Sequence, residues 1–181
     1  MKVVLIILIV IAVLIILTAI KALFYKEGVP EVVPMEKEKV DAQRVQRHLS
    51  QAISIKTISN PDDSKVDWKE FERFHKFLED EYPLTHKALK REKISQASLL
   101  FTWQGKNPEL DGIALLSHQD VVPVSKSTEN DWEHPAFEGY NDGEYIWGRG
   151  ALDMKNHLIC VMEAVETLLE EGYQPERSVY L

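Results

Sequence analysis

Apolar and polar positions divide the chain into three regimes. From Val3 to Ile20 no residue is charged and nearly all are aliphatic, with Lys2 before the run and Lys21 after it. At 1.5 Å rise per residue, a helix over this run spans about 27 Å, close to the hydrocarbon thickness of a bilayer. The run predicts one transmembrane helix. A cleaved signal peptide is the rival, but its apolar region covers only about 7–15 residues, and Ala19 and Ala22 make a poor cleavage pattern. A buried helix of a soluble domain fits least, because the segment has no polar face. In the second regime, Glu27 to Lys39, Gly28, Pro30 and Pro34 fall among acidic and basic residues, the pattern of a tether.

The third regime is periodic. Val40, Val45, Leu49 and Ile53 recur at helical spacing, with Gln43, Arg44, Gln46 and Arg47 opposite, and the helix is predicted to end at Thr57–Pro61. A second helix is predicted from Asp67 to Tyr82, with Phe71, Phe74 and Leu78 as its core stripe and Pro83 as its stop. His75 lies on it without a partner in sequence and reads as a surface or packing residue. Ser98–Trp103 is a β-prone run closed by Gly105 and Pro108. Gly112–His118 is more uniformly apolar, as expected of a central strand covered on both faces. Asp153 to Glu171 reads as a helix with Leu158, Met162, Val165 and Leu169 facing inward, Asp153 as its cap and Gly172 as its stop. Arg177–Leu181 begins another strand. Helices alternating with apolar strands make this an α/β unit.

Composition changes this picture little. The 181 residues hold 29 acidic and 21 basic side chains, a formal net charge of −8. That balance argues against a nucleic-acid partner, which needs a basic face. Cys160 is the single cysteine, so an intrachain disulfide is excluded. Its apolar neighbours predict a buried, inert thiol. At the membrane, Lys2 and the terminal amine favour a cytosolic N-terminus, against Lys21 and Lys26 on the other flank. The globular part is then expected outside the cytosol.

The chemistry concentrates between His118 and Asp153. His118 closes an apolar strand, and ligand sites in open α/β sheets lie at the carboxyl ends of strands. Two positions apart in extended chain, His118 and Asp120 point to one side, so Asp120 is placed to influence the imidazole. Imidazole and carboxylate are groups a zinc site uses. Asp153, at a helix entrance across a loop, is placed to converge with His118, although an aspartate there is commonly just a cap. Gly148-Arg149-Gly150 does not make a dinucleotide site, because Gly-x-Gly-x-x-Gly needs glycine where Asp153 stands. No Gly-x-Ser-x-Gly elbow of a serine hydrolase is present.

Three ordered segments carry a resemblance: Ser117-His118-Gln119-Asp120-Val121-Val122-Pro123-Val124, then Trp132 with His134-Pro135-Ala136-Phe137-Glu138-Gly139, then Trp147-Gly148-Arg149-Gly150-Ala151-Leu152-Asp153-Met154-Lys155-Asn156. Together they resemble the aminoacylase/carboxypeptidase S family of dizinc metallopeptidases, in particular carboxypeptidase S and the secreted N-acyl amino acid hydrolases/synthases. The resemblance runs from Val40 onward. It implies that His118 binds one Zn²⁺, that Asp153 bridges two, and that Asp120 is the active-site aspartate beside the histidine ligand. It also implies a cis peptide after Asp153 and a close approach permitted by Gly148 and Gly150. The family pattern continues into a Glu-Glu pair (general base, then zinc ligand), a further acidic ligand, a late histidine and an inserted dimerisation domain, none of which occurs here. The expectation is therefore the N-terminal part of a zinc-exopeptidase-like catalytic domain, a mixed sheet flanked by helices, with little turnover by itself.

The sequence thus predicts an anchor over 1–25, a linker over 26–39 and the metallopeptidase portion over 40–181. The implied function is zinc-dependent hydrolysis of an amide next to a free carboxylate, with a small peptide or an N-acyl amino acid as substrate. The alternative is a membrane-tethered, non-catalytic interaction or ligand-binding module with a vestigial metal site.

Overall fold

The computed structural model describes residues 2–25 and 39–181. The predicted linker, Lys39 apart, lies outside the described residues. Two compact units divide between Lys39 and Val40.

Helix α1, Lys2–Leu23, exposes all its apolar side chains. Its one hydroxyl is satisfied internally, Thr18 Oγ1 donating to the carbonyls of Leu14 and Ile15 at 2.9 Å each. The helix is long and apolar enough to cross a bilayer, and its hydroxyl is satisfied by its own backbone, as hydrocarbon requires.

In the second unit, α2 spans Ala42–Ser54, with the Asp41 carboxylate accepting from the Arg44 amide at 3.0 Å. It ends before the predicted Thr57–Pro61 stop. Ile55 is already extended, because the backbone that follows is needed for pairing: Ile58 bridges Val121 in parallel, with Val121 N–H donating to Thr57 O at 2.8 Å.

Helix α3, Trp68–Glu81, begins at an Asp67 cap and buries Phe71, Phe74 and Leu78 as predicted, but also His75. Pro83 opens a further helix, α4, Pro83–Ala88. Proline suits a first helical turn, where its missing N–H is not needed. The amides of Leu84 and Thr85 instead donate to the buried Glu166 carboxylate at 2.9 and 2.8 Å.

A four-stranded mixed sheet has the order β1 (Lys90–Ile94), β2 (Ser98–Trp103), β6 (Val179–Tyr180), β3 (Ile113–Ala114). Strands β1–β2 and β2–β6 run antiparallel, and β6–β3 parallel. A small hairpin, β4 (Tyr140–Asn141) with β5 (Ile146–Trp147), lies apart. Strand β1 is exposed throughout, and its Lys-Arg-Glu-Lys sequence carries no apolar signal. Strand β3 corrects the prediction of a central, doubly covered strand. It is the last strand in the order, with Ile113 45% and Leu116 79% exposed. An apolar run shows what a strand can bury, and neighbouring elements decide whether it does.

Helix α5, Asn156–Glu170, packs Leu158, Ile159, Met162 and Val165 against α2–α4 and β2 side chains. Gly172, with φ +74°, donates its N–H to Leu169 O at 3.0 Å and ends the helix as predicted. Cys160 is exposed, contrary to expectation, because Leu158, Ile159 and Met162 already define the buried face. Glu163, also inward, accepts from Arg44 Nε at 2.8 Å and Tyr82 Oη at 3.1 Å and contacts His48 Nδ1. This buried cluster joins α2, α3 and α5.

Candidate metal centre

The 57–59/121 pairing delivers the segment after β3 to its position. His118 and Asp120 do share one side: His118 Nδ1 is 3.0 Å from the Asp120 carbonyl and 3.4 Å from its Oδ1. Asp153 converges from across the loop, with its Oδ1 3.0 Å from His118 Nε2. All three predicted residues therefore meet.

Asp153 is not the helix cap that its position suggests. Ala151–Lys155 forms a π-type turn with a kink at Asp153 (φ −129°, ψ 94°) and Met154 (φ −140°, ψ 40°), and the Asp153–Met154 peptide is cis. Helix α5 starts only at Asn156. The carboxylate faces His118 instead of its own helix.

Gly150, at φ +84°, lets the turn pass so near Val121 that a Cβ would stand 2.5 Å from Val121 Cγ1. At Gly148 a Cβ would meet Ile53 Cγ2 at 2.4 Å. Arg149 N–H donates to Ala136 O at 2.6 Å, and its guanidinium lies 5.2 Å from the Trp132 ring. The middle segment thus braces the loop that carries Asp153.

Donor and acceptor roles bear on what sits between His118 and Asp153. The Asp120 carbonyl only accepts, so Nδ1 carries a proton. Nε2 then faces an ionised carboxylate, which also only accepts. Either the ring is an imidazolium or a cation stands between neutral Nε2 and Oδ1. Partial burial lowers the His118 pKa, but the bonds to Asp153 and the Asp120 carbonyl, with both carboxylate charges, outweigh it and leave it raised. Two donors tetrahedrally placed on one zinc at 2.0–2.2 Å stand about 3.4 Å apart, close to the spacing here. The pair fits a metal. Among the described residues no group of three or more His, Cys, Asp or Glu side chains is arranged to hold one.

Lys155 escaped the sequence reading. Its ammonium is fully buried, 2.7 Å from both Ala52 O and Ile55 O, and 5.0 Å from the centre of the Phe74 ring. Burial pulls its pKa down to about 7, against Glu70 and Asp120, which raise it. Two carbonyls at the end of α2 thereby hold the turn that carries Asp153. Thr57, whose hydroxyl donates to Gln119 O at 2.5 Å, was missed for a similar reason. Its partner is sixty-two positions away.

This geometry has counterparts. Residues 114–181 match the family model for peptidase family M20/M25/M40. The chain is a relative of the M20 peptidases. It is 41% identical over 140 residues to carboxypeptidase S of Saccharomyces cerevisiae, covering 74% of this chain and 24% of that one. It is 33% identical over 152 residues to the N-fatty-acyl-amino acid synthase/hydrolase PM20D1 of Mus musculus, covering 82% and 29%. This M20-related chain thus spans about a quarter of the length of those curated relatives. In fold it is similar to an M20 family metallo-carboxypeptidase from Sulfolobus solfataricus (TM-score 0.56, 19% identity, 76% of this chain and 29% of that). Human carnosine dipeptidase 1 gives the same TM-score at 16% identity, covering 76% and 33%. The fold is the α/β mixed sheet with flanking helices that the sequence implied.

Proposed function

We propose that this M20-related chain carries the metal-binding framework of a zinc-dependent hydrolase for amide bonds next to a free carboxylate. The bond would be the C-terminal one of a small peptide or the one joining an acyl group to an amino acid, chemistries that the names of the matched relatives span. The observation that carries the reading is the Asp120–His118–Asp153 arrangement, with Nδ1 engaged by Asp120 and Nε2 aimed at a carboxylate. His118 would hold one metal, Asp153 would bridge to a second, and Asp120 would keep the imidazole in the tautomer that a metal needs. Zinc bound there supplies Lewis acidity toward a water and a scissile carbonyl. Residues 1–25 would anchor the protein, 26–39 would tether it, and 40–181 would face away from the cytosol.

With one imidazole and one carboxylate, zinc is about two ligands short of tetrahedral closure. Calorimetric titration of Zn²⁺ into the detergent-solubilised chain is therefore expected to show one weak equivalent, abolished by His118→Ala, with little turnover of an N-acyl amino acid. Two tight equivalents, or binding unaffected by His118→Ala, would overturn this reading.

The anchor has its own test. Carbonate extraction of expressed protein should leave it in the membrane pellet. Release of the unprocessed chain refutes an anchor, and release of a shortened chain identifies α1 as a cleaved signal.

A further inference from the structure

The alternation that puts His118 and Asp120 on one side of the chain sends Gln119 to the other. There Gln119 Nε2 lies 2.5 Å from the Ala97 carbonyl, and Oε1 lies 2.9 Å from His75 Nε2 on α3. A carbonyl accepts only, so the amide nitrogen must face Ala97 and the amide oxygen must face His75. His75 must then carry its proton on Nε2. The ring is 5% exposed, and burial, the leading influence, holds its pKa below the ordinary histidine value. A neutral ring donating from Nε2 follows. On the main chain, Gln119 O accepts from Thr57 Oγ1. Gln119 is thus tied to α3, to the β1–β2 turn and to the extended run after α2.

The site needs such a tie. The side chains of His118 and Asp153 are 44% and 88% exposed, so packing around them does not hold them in place. Order must be imposed through the backbone that carries them.

We infer that Gln119, gripped from behind by His75, is the positioning residue of the proposed metal site. It fixes the 118–120 backbone from the face opposite the metal, so that His118 presents Nε2 to Asp153 while Nδ1 rests on Asp120. The inference rests on the metal-site reading above. Neither His75 nor Gln119 touches metal or substrate, and both act through His118.

The test uses the full chain in detergent micelles with Zn²⁺ as probe and amide hydrogen exchange as a metal-free readout. His75→Phe keeps a ring and removes the donor, Gln119→Met removes the amide, and His75→Gln returns an N–H close to the position of Nε2. The Phe and Met variants are expected to weaken Zn²⁺ binding about 10–100-fold, the usual loss when the support of a metal ligand is removed. Exchange at residues 118–121 should accelerate while α5 keeps its protection, and His75→Gln should restore most of both. Parent affinity and parent exchange in His75→Phe would overturn the inference. So would uniform loss of protection that His75→Gln does not repair, since that marks His75 as packing alone. Zn²⁺ binding that survives His118→Ala refutes the metal reading, and the exchange pattern then judges the clamp by itself.

Discussion

Glu163→Ala is expected to destabilise the globular unit by about 3–5 kcal/mol, the cost typical of breaking a buried, hydrogen-bonded charge cluster. Glu163 is 4% exposed and sits where α2, α3 and α5 meet. One carboxylate oxygen takes Arg44 Nε, and the other takes Tyr82 Oη and the His48 ring. Removing it takes the shared carboxylate from the fully buried Tyr82 hydroxyl and from His48 Nδ1, which among the described residues are left with only each other at 3.2 Å. Burial, and then Glu163, raise the Tyr82 pKa far above that of a free phenol, so the hydroxyl remains a donor in need of an acceptor. Arg44 keeps Glu170 at 2.8 Å and Thr167 at 2.8 Å, so the arginine itself is not stranded. Denaturant unfolding followed by tryptophan fluorescence measures the loss. A change below about 1 kcal/mol would show that the cluster nets nothing over solvation, as some buried ion pairs do.

Lys155→Met is expected to cost about 1–3 kcal/mol, from two lost hydrogen bonds at about 0.5–1.5 kcal/mol each, while the Ala52 and Ile55 carbonyls keep the amides of Ile55 at 3.3 Å and Thr57 at 3.0 Å. Methionine fills similar volume, so cavity formation contributes little. The variant also predicts a pH signature. Folding holds the Lys155 pKa near 7, below its ordinary 10.5. Between those values the unfolded chain binds the extra proton, so wild-type stability rises with pH across that window. A neutral amine still offers two N–H groups to the two carbonyls, so both bonds persist as the charge is shed. Unfolding free energies from pH 6.5 to 10 in chelator should slope upward for the wild type and lie flatter for Lys155→Met. Parallel profiles would mean that Lys155 does not titrate in this range. Because the turn held by Lys155 carries Asp153, Zn²⁺ affinity should fall in the same variant.

Helices α1, α3 and α5 were legible because their signals are local. An unbroken aliphatic run, an aromatic stripe at helical spacing and a terminating Gly172 act through neighbours within a few positions. The same holds for β2, and for the shared side of His118 and Asp120, which two-residue alternation alone dictates. Helix α4 was missed because Pro83 ends one helix and starts the next, and proline alone does not distinguish the two. Cys160 was misread because apolar neighbours along a helix do not say which face is inward, and α5 turns that position outward.

What the sequence by itself determined is the candidate chemistry: an imidazole at a strand's end, a carboxylate two residues on, a second carboxylate after a glycine turn. Side-chain identity and short-range geometry suffice for that. Only the tertiary structure decided that Asp153 leaves its helix to face His118, that β3 stands at the end of the sheet, and that buried His75 and Lys155 hold the site from beneath. Each of those depends on a partner many positions away: Gln119 for His75, the end of α2 for Lys155 and His118 for Asp153. A buried polar group is stable only where such a partner waits, and folding, not local pattern, brings the two together.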